Sequence, residues 1–270
     1  REMVKRLSKH LDATFIVENV QGGSGARAMT KVATAKPDGA TLYAITPTYV
    51  FTSLLSKPPH TYKELLPVAI VFADAEVLYT RADGPFQTVK DVIDRAKTAR
   101  GRWGVANPAS LERQAAERLK SAAGVNAAIV SHEGGGDMMI NVLNGTLDAG
   151  VGEVPELRAQ LDGGKVRLLA TFNASRLPLI PSLPTVKESG FDVTVSKFRG
   201  LAGPKGLPAD VLAAWPKALA GLVADPEYKK SYEAESLVVD LKGSEAATKA
   251  VEAFAAEAEA FLRSGGTAKK

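Results

Sequence analysis

There is no cysteine in this 270-residue chain. Disulfides, thiolate nucleophiles and cysteine-ligated zinc are therefore excluded. The redox compartment is left open, since a cysteine-free chain suits an oxidising and a reducing one alike. Histidine is scarce: His10, His60 and His132 lie far apart, and no His-Glu-x-x-His pair, Gly-x-Ser-x-Gly elbow or Gly-Lys-Ser/Thr loop occurs. No reaction class is supported, so no enzyme and no cofactor are expected. No apolar run approaches the roughly 18 to 20 residues that span a bilayer, and no positively charged, then apolar leader opens the chain. An excess of one charge is missing too, because 34 Lys and Arg are scattered among 30 acids for a net +4. Without a basic cluster, nucleic acid is not an expected partner. What the chain does have is 45% hydrophobic residues, enough for one large or two modest α/β domains with a substantial core.

Its most informative stretch is residues 131–157, SHEGGGDMMINVLNGTLDAGVGEVPEL. A short apolar strand over 127–130 leads into it. Gly134, Gly135 and Gly136 then open a helix whose spacing is carried by Met138, Met139, Val142 and Leu143. Glycine amides can approach a bound group closely, and the first turn of a helix leaves N–H groups without partners, which together make a seat for an anion. The plainer alternative is a tight strand-to-helix connection. Asp137 stands in the same first turn and can compete for those donors.

Taken in order, Met3, Val4, Leu7 and Leu11 predict an opening amphipathic helix, and 14–18 a buried strand. Gly22, Gly23 and Gly25 turn into a helix carrying Ala28, Met29, Val32 and Ala33. That turn contains Gly23-x-Gly25-x-x-Ala28, a partial dinucleotide fingerprint, but a nucleotide site wants an acid at the end of the next strand. The strand expected over 41–45 ends instead in Thr46-Pro47-Thr48. If it is parallel, these residues lie at a ligand-binding strand end; the alternative is that the threonines cap the next helix. Residues 66–80 read as two adjoining strands, and Thr88-x-x-Asp91 as a capping box opening a helix through Lys97. A strand over 102–106 follows, then Asn107-Pro108-Ala109-Ser110, where Ser110 offers a hydroxyl to a ligand or a cap to the helix bearing Leu111, Ala115 and Leu119. Strands are expected over 166–171 and 193–202, separated by a proline-broken segment with a short helix from 182 to near Gly190. The rest reads as helix: 211–223, which Pro216 should kink or divide into two pieces, and a long C-terminal helix burying Ala247, Val251, Phe254, Ala258 and Phe261.

The order of these motifs resembles the tricarboxylate-transporter solute-binding proteins, the TctC or Bug family. The resemblance is carried by the 131–157 stretch, Val17-Glu18-Asn19, the Pro37-Asp38-Gly39 turn with Thr41-Leu42, residues 63–68 (KELLPV), residues 175–191 (SRLPLIPSLPTVKESGF) and Phe198-Arg199-Gly200-Leu201. It spans about 4–264. Val20 and Gln21 replace the family's usual Arg-Pro, His132 stands where relatives often have Tyr, and Glu153 where they often have Asp. The resemblance implies an α/β, two-lobed type II periplasmic binding protein fold with the ligand cleft between lobes, one lobe being 1–101 plus 197–270 and the other 102–196. It further implies a strand and loop ahead of the first helix, a periplasmic location, and capture of a di- or tricarboxylate or aromatic acid for delivery to membrane permease subunits. The implied ligand contacts are Thr46, Pro47, Thr48, Asn107, Ala109, Ser110, Ser131, His132, Gly134, Gly135, Asp137 and Glu153. Two other functions stay open: a ligand sensor acting on a partner protein, and a dinucleotide-dependent enzyme using 23–28.

Overall fold

The structure, a computed structural model, describes residues 1–263. They form two compact units, Arg1–Ala73 with Phe198–Ala260 and Asp74–Lys197 with the chain from Phe261. Helix α1 (Glu2–Leu7) buries Leu7. Residues 14–18 do not form the expected buried strand: among the described residues no ladder reaches them, and Ile16 is 90% exposed. A short apolar run makes a strand only where a neighbouring strand accepts its backbone bonds. Helix α2 (Ala26–Ala33) buries Met29 and Val32, as its spacing predicts. Strand β1 (Tyr43–Ile45), helix α3 (Thr48–Ser56) and strand β2 (Leu65–Asp74) follow. The 3-10 turn Tyr62–Glu64, directly before β2, carries a capping box between Thr61 and Glu64.

Strand β3 (Glu76–Arg81) follows β2 almost directly, so the two adjoining strands form as read, but β3 joins the other unit's sheet. Then come α4 (Val89–Thr98), β4 (Arg102–Val105), α5 (Leu111–Ala123), β5 (Ala128–Ser131), α6 (Gly135–Leu143), β6 (Ala149–Glu153), α7 (Val154–Asp162) and β7 (Val166–Thr171). The capping box of α4 forms as read, Thr88 accepting from Asp91 N and Asp91 from Thr88 N. The sheet runs β5-β4-β6-β3-β7, with β4 parallel to β5 and β6, and β3 antiparallel to β6 and β7. Because β3 pairs on both sides within this sheet, the first boundary falls at 73/74, not near 101; the second falls at 197/198. Helix α6 lies close on the sheet because Gly104 has no side chain: a Cβ there would meet Leu147 at 2.5 Å and Met138 at 2.8 Å. Residues 182–190 form turns, not a helix. Thr185 is drawn to the edge of β7 by a bridge to Thr171, with Pro181 and Pro184 breaking any helical run.

The chain returns through β8 (Lys197–Pro204), shorter at its start than expected, and continues as α8 (Ala209–Ala224), α9 (Pro226–Ala234), β9 (Val238–Gly243) and α10 (Ser244–Arg263). This unit's sheet runs β1-β8-β2-β9. Strand β1 pairs antiparallel with β8, and not in the parallel sense expected ahead of Thr46, because its partner is the returning segment. Pro216 does not split α8, which is continuous around it. The proline is exposed, so the carbonyl left without a helical donor one turn earlier is not sealed in the core. Helix α10 buries Ala247, Val251, Ala255 and Ala258, while Phe254 meets Phe51 and Phe198 edge-on at 5.6 and 5.8 Å. No described helix is long and apolar enough to cross a membrane.

Candidate functional site

In the second unit, strand polarity decides where chemistry can gather. With β4, β5 and β6 parallel and β3 running against them, the register brings Val105, Ser131, Glu153 and Glu76 to one sheet edge. The carboxyl ends of parallel strands and the helix starts that follow them are where open α/β sheets hold ligands.

The loop after β4 turns mostly inward. Ser110 is fully buried, and its hydroxyl donates to Asn107 O at 2.9 Å while accepting from Arg113 N at 3.1 Å. Ala109 N–H donates to Asn107 Oδ1 at 3.1 Å. Ser110 is therefore the cap of α5, and the polar groups of Ala109 and Ser110 that were expected to meet a ligand are committed within the protein. The Asn107 side-chain amine is the part of this loop with no acceptor among the described residues.

After β5 the picture is more open. Ser131 is half-buried, and its hydroxyl accepts from the Arg113 guanidinium at 3.1 Å. His132 is fixed by its backbone N–H to Val105 O at 3.1 Å, and its Nδ1 is buried without a partner. Gly134 is the extended N-cap residue of α6, which has no side-chain cap. Cβ atoms at Gly134 or Gly136 would meet open space, whereas one at Gly135 would come within 2.1 Å of Glu156 Oε2. The carboxylate lying over the first turn of α6 is thus Glu156, from the start of α7. Asp137, the competitor expected from the sequence, is exposed and makes no capping bond.

Glu153 does not point a free carboxylate at this edge. It is 6% exposed and pairs with the Lys197 ammonium, which also donates to Glu76 at 2.9 Å. Carboxyl oxygens of Glu76, Glu112 and Glu153 lie within 4.8 Å of one another. Burial pushes the Glu76 carboxyl up to about 8 against the pull of the Lys197 ammonium, with Glu112 adding to the rise.

In the first unit, Pro47 is the N-cap residue of α3 and the helix has no side-chain cap, so neither threonine caps it. Thr46 and Thr48 keep half-buried hydroxyls with no hydrogen bond among the described residues. Beside α3 runs the glycine turn, where Gly22, Gly23, Ser24 and Gly25 all have positive φ, 121°, 60°, 52° and 90°. Thr52 Oγ1 ties it down by donating to Ser24 O at 2.8 Å. Part of the turn's donor set is used internally, Gly25 N–H donating to Gly22 O at 3.2 Å and Ala26 N–H to Gly23 O, and α2 starts from it without a side-chain cap. The strand that a dinucleotide turn would follow is not formed there.

Sequence reasoning missed Arg113, Glu156, Ser24 and the buried set Glu76, Glu112 and Lys197. The last left a trace, since Lys197 and Glu76 are charged residues at the starts of apolar strands. Arg113 and Glu156 look like ordinary helix surface until the neighbouring turn is in place.

Comparison with known proteins gives a match to the family model described as "Tripartite tricarboxylate transporter family receptor" (TctC) over residues 1–260. A UPF0065 protein of Bordetella bronchiseptica is 28% identical over 229 residues, 84% of this chain and 68% of that one. A Rhodopseudomonas palustris protein solved with adipate superposes with a TM-score of 0.92 at 23% identity, covering 98% of this chain and 91% of that one. MatC from the same organism, solved with malate, gives 0.84 at 20% identity, covering 94% and 90%. The fold is that of these binding proteins, as the motif order implied.

Proposed function

The chain belongs to the TctC family and is a solute-binding protein; from that premise we propose that it captures a small carboxylate in the periplasm and delivers it to a tripartite permease, making and breaking no covalent bond. The observation that carries the reading is the start of α6: a glycine-built, side-chain-uncapped helix end at the carboxyl edge of a partly parallel sheet, beside Ser131 and Arg113. The adipate and malate bound by the two structural neighbours support the same class of solute.

The energetics are adequate. Three hydrogen bonds to a carboxylate contribute roughly 1.5 to 3 kcal/mol each, and a helix end up to about 2 kcal/mol. After ordering costs this reaches the vicinity of −8 kcal/mol, the value for micromolar binding. Of the residues expected to touch the ligand, Thr46, Thr48, Asn107, Ser131, His132, Gly134 and Gly135 retain polar groups suited to it. A thermal-shift panel tests the reading: adipate, malate or another di- or tricarboxylate raises Tm, while sugars, amines and nucleotides do not. A panel in which no acid shifts Tm, or in which a nicotinamide dinucleotide does, contradicts it.

A further inference from the structure

Glu76, Glu112, Glu153 and Lys197 are 0%, 6%, 6% and 5% exposed. Each comes from a different element: β3, α5, the end of β6 and the start of β8. The ammonium contacts Glu76 and Glu153, leaving Oε2 of Glu76, Glu112 and Glu153 buried without a partner. With every carboxyl ionised, two negative charges would lie in a desolvated space with no counter-charge. An uncompensated buried charge is strongly unfavourable, and neighbouring buried carboxyls relieve it by retaining a proton.

Among the described residues, Lys197 is the cation seen in contact with the glutamate oxygens of this cluster. Asp74, at the end of β2, adds to the repulsion. Strand β7 supplies only the Thr171 hydroxyl, which donates to Glu76 O at 3.3 Å. Helix α6 packs through Met138 and Val142 and carries Asp137 exposed, while Glu156 on α7 acts on Tyr79 further along β3. Arg113 on α5 is turned to Ser131 and Glu117. The carboxyl spacing would also suit a cation, but the Lys197 ammonium already sits among the oxygens.

The sheet edge that holds this cluster also carries Ser131 and the start of α6. Resting on the carboxylate reading for its second half, we infer that this cluster keeps Glu76 protonated at neutral pH and that a solute anion at the same edge tightens the hold on that proton, so that capture takes up the fraction of it that the free protein has released. A nearby negative charge favours the protonated carboxyl. Affinity for the acid then falls by up to about tenfold per pH unit once the cluster's proton is lost in the free protein.

Two measurements on the full chain test this. Thermal unfolding from pH 5 to 8.5 compares wild type with Glu76→Gln, and with Glu112→Gln should the first variant not fold. A carboxyl whose folded value is raised contributes stability that is complete below the unfolded value of 4.5 and lost as pH rises through about 8. Wild-type Tm should therefore fall relative to the variant across that window; parallel curves overturn the retained proton. Calorimetry with adipate at pH 7.5 in phosphate and in Tris then reads coupling. The heats should differ in the sense of proton uptake, and the difference should shrink in Glu76→Gln. Equal heats in the two buffers overturn the coupling. If adipate gives no binding heat, the carboxylate reading loses its support here, while the pH curves still decide the proton.

Discussion

Lys197 is the residue on which most charge depends. Replacing it, Lys197→Met, leaves three buried glutamates without their cation, and breaking such a pair from one side typically costs about 3 to 5 kcal/mol. Urea unfolding should show a loss of that order at pH 7, recovering in part at pH 5 as the carboxyls protonate; a loss under about 1 kcal/mol contradicts the role given to the ammonium. Glu156 invites the opposite experiment, because its carboxylate lies against Gly135 where a solute anion would compete. Removing a charge near a helix end changes energies by about 0.3 to 1 kcal/mol. Glu156→Gln should therefore bind adipate roughly two- to fivefold more tightly, and weaker binding in titration calorimetry would remove Glu156 as competitor. The sequence displays Gly134, Gly135 and Ser131 because glycine runs and strand ends are local signals. It hides Glu76, Glu112 and Lys197 because their meeting depends on which strands become neighbours.

Among the elements, helices are legible wherever the cause is local. The Thr88–Asp91 capping box and the apolar stripe of α10 need only their own residues to be recognised. Residues 14–18 fail because strand formation needs a partner, and residues 182–190 because prolines and the bridge to β7 outweigh a weak helical pattern. Helix α8 supplies a test. An interior proline costs about 3 kcal/mol relative to alanine, and here Pro216 is exposed within an unbroken helix. Pro216→Ala should raise stability by about 1 to 3 kcal/mol in urea unfolding, with unchanged helical circular dichroism. A destabilised variant would mean that α8 depends on the proline's shape.

For the whole molecule, the order of motifs identifies the family and the α/β fold, since punctuation by glycine and proline recurs at fixed places from residue 17 to residue 201. The point at which the chain leaves the first unit is less legible: β2 and β3 form one nearly continuous apolar run, and only pairing shows that the second half belongs to another sheet. Under the proposed function the protein holds a carboxylic acid and returns it unaltered. Equilibrium dialysis against isotopically labelled adipate and malate, followed by mass spectrometry of the recovered label, tests this most directly. A pure carrier gives saturable retention of at least one acid, close to one per chain, with its mass unchanged; no retention of either, or recovery of a converted product, rules this out.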